Sequence, residues 1–307
     1  MPIDLSIVTP VHNEEGNLHD LYESVRRAIP EKYTWEMWFI DDGSTDSSRE
    51  KIREICQNHT NAKAIFFPKN FGHQIALTAG LDHAEGRAVI TMDSDLQHPP
   101  ESIPAMLDAW EKGADIVFAV RDRQKDMPWF KNLTSRLFYR FLRAVSHLDL
   151  VNSAADFRLL SRKVVECLRQ YRERDRFLRG MVSDIGFNQA RILYRENPRR
   201  NGISKYSLIK MIKLAITGTL SFSSVPLRAC STFGFFIAAL SVLYALYIIY
   251  DKLAHGAPAG IPSILVGVFF IGGLQLIFIG VLGEYLMTVF KEVKQRPLYW
   301  ISEKINH

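Results

Sequence analysis

Two aspartates two residues apart, Asp93 and Asp95, open the segment DSDLQHPPE at 93–101. In extended backbone alternate side chains project to one side, so the pair can grip a single hard cation through oxygen. A divalent ion there suits a diphosphate. It offsets negative charge building on a departing group, and Gln97 can add an oxygen or orient a carboxylate. An acidic turn capping the helix that starts near Pro100 is the plainer reading of the same residues. Two other clusters bear on the choice. TPVHNEEGN at 9–17 places Asn13, Glu14 and Glu15 just after Pro10, where polar side chains can bind a base or a ribose. DDGSTD at 41–46 joins Asp41 and Asp42 to a glycine turn, with Ser44, Thr45 or Asp46 able to cap the next helix.

These clusters need elements to hold them, and the surrounding pattern supplies them. Short apolar runs at 5–9, 37–40, 62–67, 88–92 and 116–120 read as strands, and Pro10 is expected to stop the first ladder. Segments 17–28, 47–58, 74–84 and 101–112 carry helical apolar spacing and polar caps. The alternation predicts an α/β fold with a mostly parallel sheet covered by helices. All three acidic or amide clusters then fall at strand ends on one edge, where such sheets bind ligands. That placement favours a nucleotide site over three independent caps.

Further along, SAADFRLLSR at 153–162 sets Asp156 and Arg158 among apolar neighbours, as an internal ion pair or an active-site carboxylate. Arg199, Arg200, Lys205 and Lys210 form a basic set able to hold a lipid phosphate, a sugar diphosphate or anionic headgroups. No GxGxxG or GxxxxGK[ST] follows a strand, and no GxSxG elbow is present, so a dinucleotide fold, a P-loop and a serine hydrolase lack support. The cysteines, Cys56, Cys167 and Cys230, have no metal-ligand spacing and read as reduced thiols. A formal net charge of +5 calls for no nucleic acid.

The composition changes after Arg228. Residues 229–250 carry no charge, and at about 1.5 Å per residue they would cross a hydrocarbon core of about 30 Å. A second run, 264–287, is interrupted by Glu284 and continues apolar to Phe290. The expectation is a transmembrane hairpin across 229–290. Arg228 precedes it, Lys291, Lys294 and Arg296 follow, and the loop carries only Lys252, so both ends belong on the cytoplasmic side. No signal peptide is visible, which keeps the catalytic half, 1–200, cytoplasmic. A juxtamembrane amphipathic region at 201–228 and a cytoplasmic tail at 291–307 complete the division. Segments 128–145 and 206–216 read as basic helices lying at the membrane surface or packing on their own domain.

In order and combination, TPVHNEEGN, DDGSTD, KNFGHQIALTAG, DSDLQHPPE, ADFRLLSR, RRNGISKYS, SFSSVPLR and LGEYL resemble the polyprenyl-phosphate hexosyltransferases of glycosyltransferase family 2. This group includes the bactoprenol glucosyltransferases and dolichyl-phosphate mannose synthases. The resemblance covers nearly the whole chain. It implies a GT-A catalytic domain, a multi-pass anchor in the cell membrane, and inverting transfer of a hexose from a nucleotide-sugar, UDP-glucose by resemblance, to undecaprenyl phosphate. The expected partners are these two substrates, membrane lipids and further copies of the chain, a tetramer among the options. By motif position Pro10, His12, Glu14 and Asp42 would line the nucleoside pocket, and Asp93, Asp95 and Gln97 would hold Mg²⁺ or Mn²⁺. Arg121 would face the diphosphate or sugar, and Arg199, Lys205 and Arg158 the phosphates. Asp156 matches the family's proposed base. A phosphate monoester is largely dianionic near neutral pH, its second pKa being about 6, so a base has little to do, and Asp156 could instead position Arg158 or a sugar hydroxyl.

His12 stands where many relatives carry an aromatic, and Ser183, Asp184, Ile185 and Gly186 stand where they commonly read Trp-x-Gly, which leaves mannose, N-acetylglucosamine or an aminoarabinose open as the sugar. A processive polysaccharide synthase would need a QxxRW motif and more spans. A membrane scaffold or flippase component would need no intact Asp93, Asp95 and Gln97.

Overall fold

The computed structural model describes residues 2–121, 154–195, 225–255 and 261–306. The expected surface helices at 128–145 and 206–216, and the basic residues Arg199, Arg200, Lys205 and Lys210, lie outside them. The described residues fall into two units, one of 2–121, 154–195 and 296–306, the other of 225–255 and 261–295.

The first unit is built on β1 (Leu5–Val11), β2 (Trp35–Asp41), β3 (Ala62–Phe66), β4 (Ala88–Thr91), β5 (Ile116–Arg121), β6 (Ala154–Ser161), β7 (Gln189–Tyr194) and β8 (Glu303–Ile305). They form one sheet in the order β7-β5-β6-β4-β1-β2-β3-β8. Parallel pairing joins β4, β1, β2 and β3, and joins β5 to β7, while β6 runs antiparallel between β4 and β5 and β8 runs antiparallel along β3. The mostly parallel α/β sheet of the sequence reading is therefore present.

Helices α1 (Leu18–Ala28), α2 (Ser48–Asn58) and α4 (Ile103–Glu111) cover one face of this sheet. The alternation in β1 explains how: Leu5, Ile7 and Val11 point into a core shared with Leu21, Val25, Ile52 and Met106. The other face of β1 and β2 carries α3 (His73–His83), followed by α5 (Arg162–Gln170) and α6 (Leu178–Asp184). Gly80 lets α3 lie almost against β1, since a Cβ there would stand 2.1 Å from Val8 Cγ1.

Two expectations change. Pro10 does not end β1. The ladder to β4 stops at Val8↔Thr91, but the ladder to β2 runs on through Pro10↔Ile40 to Val11↔Asp41. The Met92 amide bonds to the Val8 carbonyl and the Asp42 amide to that of Val11, so alternate residues of β1 face opposite neighbours. The nitrogen of Pro10 therefore faces the β4 side, past the last rung, where no ladder bond is lost. The segment expected as a tail also differs, because residues 303–305 form β8. The Asn306 amide donates to the carbonyls of Cys56 at 2.7 Å and Ala62 at 2.9 Å, Arg53 pairs with Glu303 at 2.7 Å, and the Tyr299 ring stacks on Phe67. An exposed edge is thereby covered.

The second unit consists of α7 (Val225–His255) and α8 (Ile261–Val293). Among the described residues one stretch, Phe270–Val293, is long and apolar enough to cross a membrane, and none of its residues is buried. Thr232–Ser241 is a shorter apolar stretch. The Tyr285 hydroxyl reaches the backbone of Leu227, and a Cβ on Gly234 would lie 3.7 Å from the Phe278 ring. As contacts move up α7 they move down α8, so the two helices run antiparallel. Ser241 and Thr288 donate their hydroxyls to the carbonyls four residues earlier, which satisfies these two polar groups within their own helices.

Candidate active site

The ends of β1, β2, β4 and β5 and the start of the antiparallel β6 share one sheet edge. This brings Pro10, His12, Glu14, Asp42, Asp93, Asp95, Gln97, Arg121 and Asp156 to the same rim. Arg199 and Lys205 lie outside the described residues.

The loops after β1 and β2 are laced together. The amides of Asn13, Glu14 and Glu15 donate to Ser44 Oγ, Ser48 Oγ and Asp46 Oδ2, and in return the amides of Thr45 and Ser47 donate to Asn13 Oδ1 and Glu15 Oε2. Asn13 takes a left-handed backbone, φ 58°, to do this. Asn13 and Glu15 are thus committed to loop structure. His12, exposed, contacts the Asp42 carbonyl through Nδ1 at 3.0 Å, and the Glu14 carboxylate accepts from Asn17 at 2.6 Å.

Asp42 is 3% exposed, and its carboxylate accepts from the amides of Phe71 and Gly72 at 2.6 and 2.9 Å. Burial raises its pKa, and the two amide bonds oppose that shift. This carboxylate therefore fixes the loop that leads into α3 and sets the position of His73 at the first turn of that helix. Gly43 allows the close approach: its φ is +66°, and a Cβ there would meet the Lys69 backbone carbon at 2.4 Å.

After β4 the chain turns through Leu96, whose φ of 61° is unusual for a non-glycine residue. The turn directs the Gln97 amide back to Asp95 Oδ1 at 3.1 Å. Asp93 Oδ1 is buried with no hydrogen bond, and His73 Nε2 stands 3.5 Å from it. Beneath it lies His98, fully buried and stacked on Phe157 with ring centroids 5.0 Å apart. His98 Nδ1 accepts the Asp93 amide at 3.0 Å, which assigns the proton to Nε2, 3.7 Å from Asp93 Oδ2. Burial keeps this imidazole neutral by lowering its pKa. Arg121, at the end of β5, donates to the Tyr194 hydroxyl at 3.2 Å.

Asp156 and Arg158 form the internal ion pair, through Oδ1 and Nη2. Arg158 pairs in register with Thr91, deeper in the sheet, and is 2% exposed. Arg179 of α6 adds a two-point contact to the same carboxylate, Nε to Oδ1 and Nη2 to Oδ2, both at 3.2 Å. His73 Nε2 stands 3.4 Å from Asp156 Oδ2, and Gln74 donates to that oxygen at 3.4 Å. Burial would raise the Asp156 pKa, but the His73 hydrogen bond and the Arg179 and Arg158 charges outweigh it and hold the carboxyl well below its ordinary range. Reciprocally, burial pushes the His73 pKa down, and its contacts with Asp156 and Asp93 more than restore it.

His73, His98 and Arg179 were absent from the site as read from sequence. His73 and His98 stand inside KNFGHQIALTAG and DSDLQHPPE, and Arg179 in the run RFLRG at 176–180, but only the fold shows what they touch.

Comparison with known proteins bears on what this rim does. The sequence profile described as glycosyl transferase family 2 matches residues 6–169. An uncharacterized glycosyltransferase of Synechocystis sp. is 39% identical over 305 residues, covering 99% of this chain and 96% of that protein. The bactoprenol glucosyl transferase of Shigella phage SfII is 41% identical over 301 residues, 97% of each chain. Among solved structures, glucosyl-3-phosphoglycerate synthase from Mycobacterium tuberculosis, in complex with Mn²⁺, UDP and glucosyl-3-phosphoglycerate, is 20% identical. It aligns over 72% of this chain and 80% of its own with a TM-score of 0.50, a likeness of fold. A profile match through the strands that carry the rim, with relatives near 40% identity along almost the entire sequence, places the chain in glycosyl transferase family 2, as a glycosyltransferase.

Proposed function

We propose that this glycosyltransferase moves glucose from UDP-glucose to a polyprenyl phosphate, with inversion, at the cytoplasmic face of the cell membrane. The observation that carries this reading is the 41% identity with a bactoprenol glucosyl transferase, over 97% of both chains. An oxygen of the acceptor phosphate forms the new bond to the anomeric carbon, and the bond from that carbon to the β-phosphate oxygen breaks. UDP leaves with the electron pair. At neutral pH the phosphate is mostly dianionic, so the bond forms without prior loss of a proton.

Pro10, His12 and Glu14 line the nucleoside side of the rim, with Asp42 shaping it from below. Arg121 faces the diphosphate or sugar, and Arg199 and Lys205 serve the phosphates. Asp93, Asp95 and Gln97 would hold Mg²⁺ or Mn²⁺. The buried Asp93 Oδ1, without a hydrogen bond, suits a metal ligand. Among the described residues no group of three His, Cys, Asp or Glu side chains is placed to hold a metal ion, so the nucleotide and water would complete the coordination. A bound divalent ion would supply charge neutralisation for the departing diphosphate.

Two spans, one in α7 and one in α8, would anchor the enzyme. Residues 296–306 belong to the same unit as the catalytic sheet, so the chain that leaves at α7 returns to the side it left. That return, with the antiparallel run of α7 and α8, supports a reading with two crossings. Charge agrees, with Arg228 near the start of α7, Lys291 in the last turn of α8, and Lys294 and Arg296 after it.

The test incubates detergent-purified protein with undecaprenyl phosphate and a panel of radiolabelled nucleotide-sugars, with Mn²⁺ or with EDTA. Label should enter the lipid phase from UDP-glucose, cease with EDTA, and fall at least about 100-fold in Asp95→Asn. Absence of transfer from every donor by folded protein would refute the reading.

A further inference from the structure

The carboxylate of Asp156 is crowded. Its Oδ1 accepts from Arg158 Nη2 and Arg179 Nε, and its Oδ2 from Arg179 Nη2 and Gln74 Nε2, with His73 Nε2 3.4 Å away. A carboxylate has about four lone-pair sites on its two oxygens, and here all are engaged by cations or amide donors. Accepting a further proton would require breaking a charge-assisted bond. The donors differ in depth. Arg158 lies a rung below with only 3% of its side chain exposed and cannot reach a substrate at the rim, so it supports the carboxylate from behind. Arg179 and His73 have 41% and 43% of their side chains exposed and stand on the open side. His73 Nε2 is also 3.5 Å from Asp93 Oδ1, so this imidazole links the carboxylate after β4 to the one on β6.

We propose that Asp156 is a positioning residue, and that Arg179 and His73, which it holds in place, form a seat for a phosphoryl oxygen, an assignment that rests on the transfer reaction proposed above. A planar guanidinium beside an imidazole N–H matches the oxygens of a phosphate, and Asp42 contributes by fixing the loop that delivers His73. The oxygen belongs either to the acceptor's phosphate or to the β-phosphate of the departing nucleotide. Both present the same chemistry.

The experiment uses the full chain in detergent and measures kcat, the KM for undecaprenyl phosphate and for UDP-glucose, the Kd for UDP and the melting temperature. The variants are Arg179→Ala, Arg179→Lys, His73→Ala, His73→Gln and Asp156→Asn. Arg179→Ala and His73→Ala should each weaken one phosphate constant by about 10- to 100-fold, the usual effect of losing a hydrogen bond to a charged group. Arg179→Lys and His73→Gln should recover part of the loss, and Asp156→Asn should move the same constant in the same direction. A change confined to the undecaprenyl phosphate KM assigns the oxygen to the acceptor; a change in the UDP Kd assigns it to the leaving nucleotide. Either supports the seat. Two results overturn it: both alanine variants keeping every constant within twofold of the native protein, or Asp156→Asn losing at least 100-fold in kcat with all binding constants unchanged, which would restore Asp156 as the proton acceptor. Should Asp156→Asn not fold, the Arg179 and His73 variants decide alone. Failure of the native protein to transfer glucose would instead count against the reaction, while UDP affinity would still test the seat.

Discussion

His98 offers a separation of two effects that are usually confounded. Its Nδ1 accepts the Asp93 amide at 3.0 Å and its ring stacks on Phe157. His98→Phe keeps an aromatic ring against Phe157 but removes the acceptor, leaving a buried amide unsatisfied at a cost of about 1 to 3 kcal/mol. At roughly 2 to 4 °C per kcal/mol for a domain of this size, the melting temperature should fall by about 2 to 12 °C. The larger consequence is local, since the freed amide belongs to Asp93. With Asp93 holding the metal as proposed, loss of the hydrogen bond behind it should weaken metal binding by about 10- to 100-fold, and the Mn²⁺ concentration for half-maximal transfer should rise by that factor. His98→Asn is the counterpart. Its amide oxygen falls near the place of Nδ1 and keeps the acceptor, while the stack is lost, so it should lose stability and retain ordinary metal activation. Thermal unfolding and a Mn²⁺ titration of transfer activity, run on both variants, read the two effects independently. The reasoning fails if the Phe variant activates at the native Mn²⁺ concentration, or if the Asn variant is the one that needs more metal.

Two other outcomes are expected. Asp156 has a depressed carboxyl pKa in the folded state, so its contribution to stability is complete above the unfolded value of about 4 and is lost as pH falls through the folded one. Denaturant unfolding between pH 3 and 6 should show stability falling at the acid end, with a shallower slope in Asp156→Asn. Removing residues 297–307 should lower the melting temperature of the catalytic unit and promote association through the bared β3 edge, whereas Glu303→Ala alone should cost no more than about 1 kcal/mol, its side chain being 39% exposed; light scattering and thermal unfolding distinguish the two.

The five strands read from apolar runs stand within two residues of where they form, because a buried parallel strand is written as a continuous apolar stretch. The missed strands show what hides one. In β6 the buried Asp156 and Arg158 break the apolar run, in β7 exposed residues alternate with partly buried ones, and β8 is only three residues long. The rim was legible because each of its acidic clusters follows a strand directly. Its inner contacts were not, since Gln74 meets Asp156 across 82 residues, His73 across one more, and Arg179 meets it from a different helix, relations that exist only once β6 is inserted beside β4. Polar character also misled in the other direction: Asn13 and Glu15 look available for a ligand, yet they are spent in lacing two loops together.

The strand β8 has a consequence for how the enzyme is made. It is translated after both long helices, yet its partner β3 lies some 240 residues earlier in the chain, as the 250-residue separation of Arg53 and Glu303 illustrates. Throughout synthesis of α7 and α8 the nascent sheet therefore carries an open edge, which is the part of a β-protein most apt to pair with the wrong neighbour. A ribosome that stalls within the helices would release a product with its nucleotide-side strands already paired and that edge still bare. Quality control could recognise such a fragment by its unclosed sheet, with no need to inspect the active site.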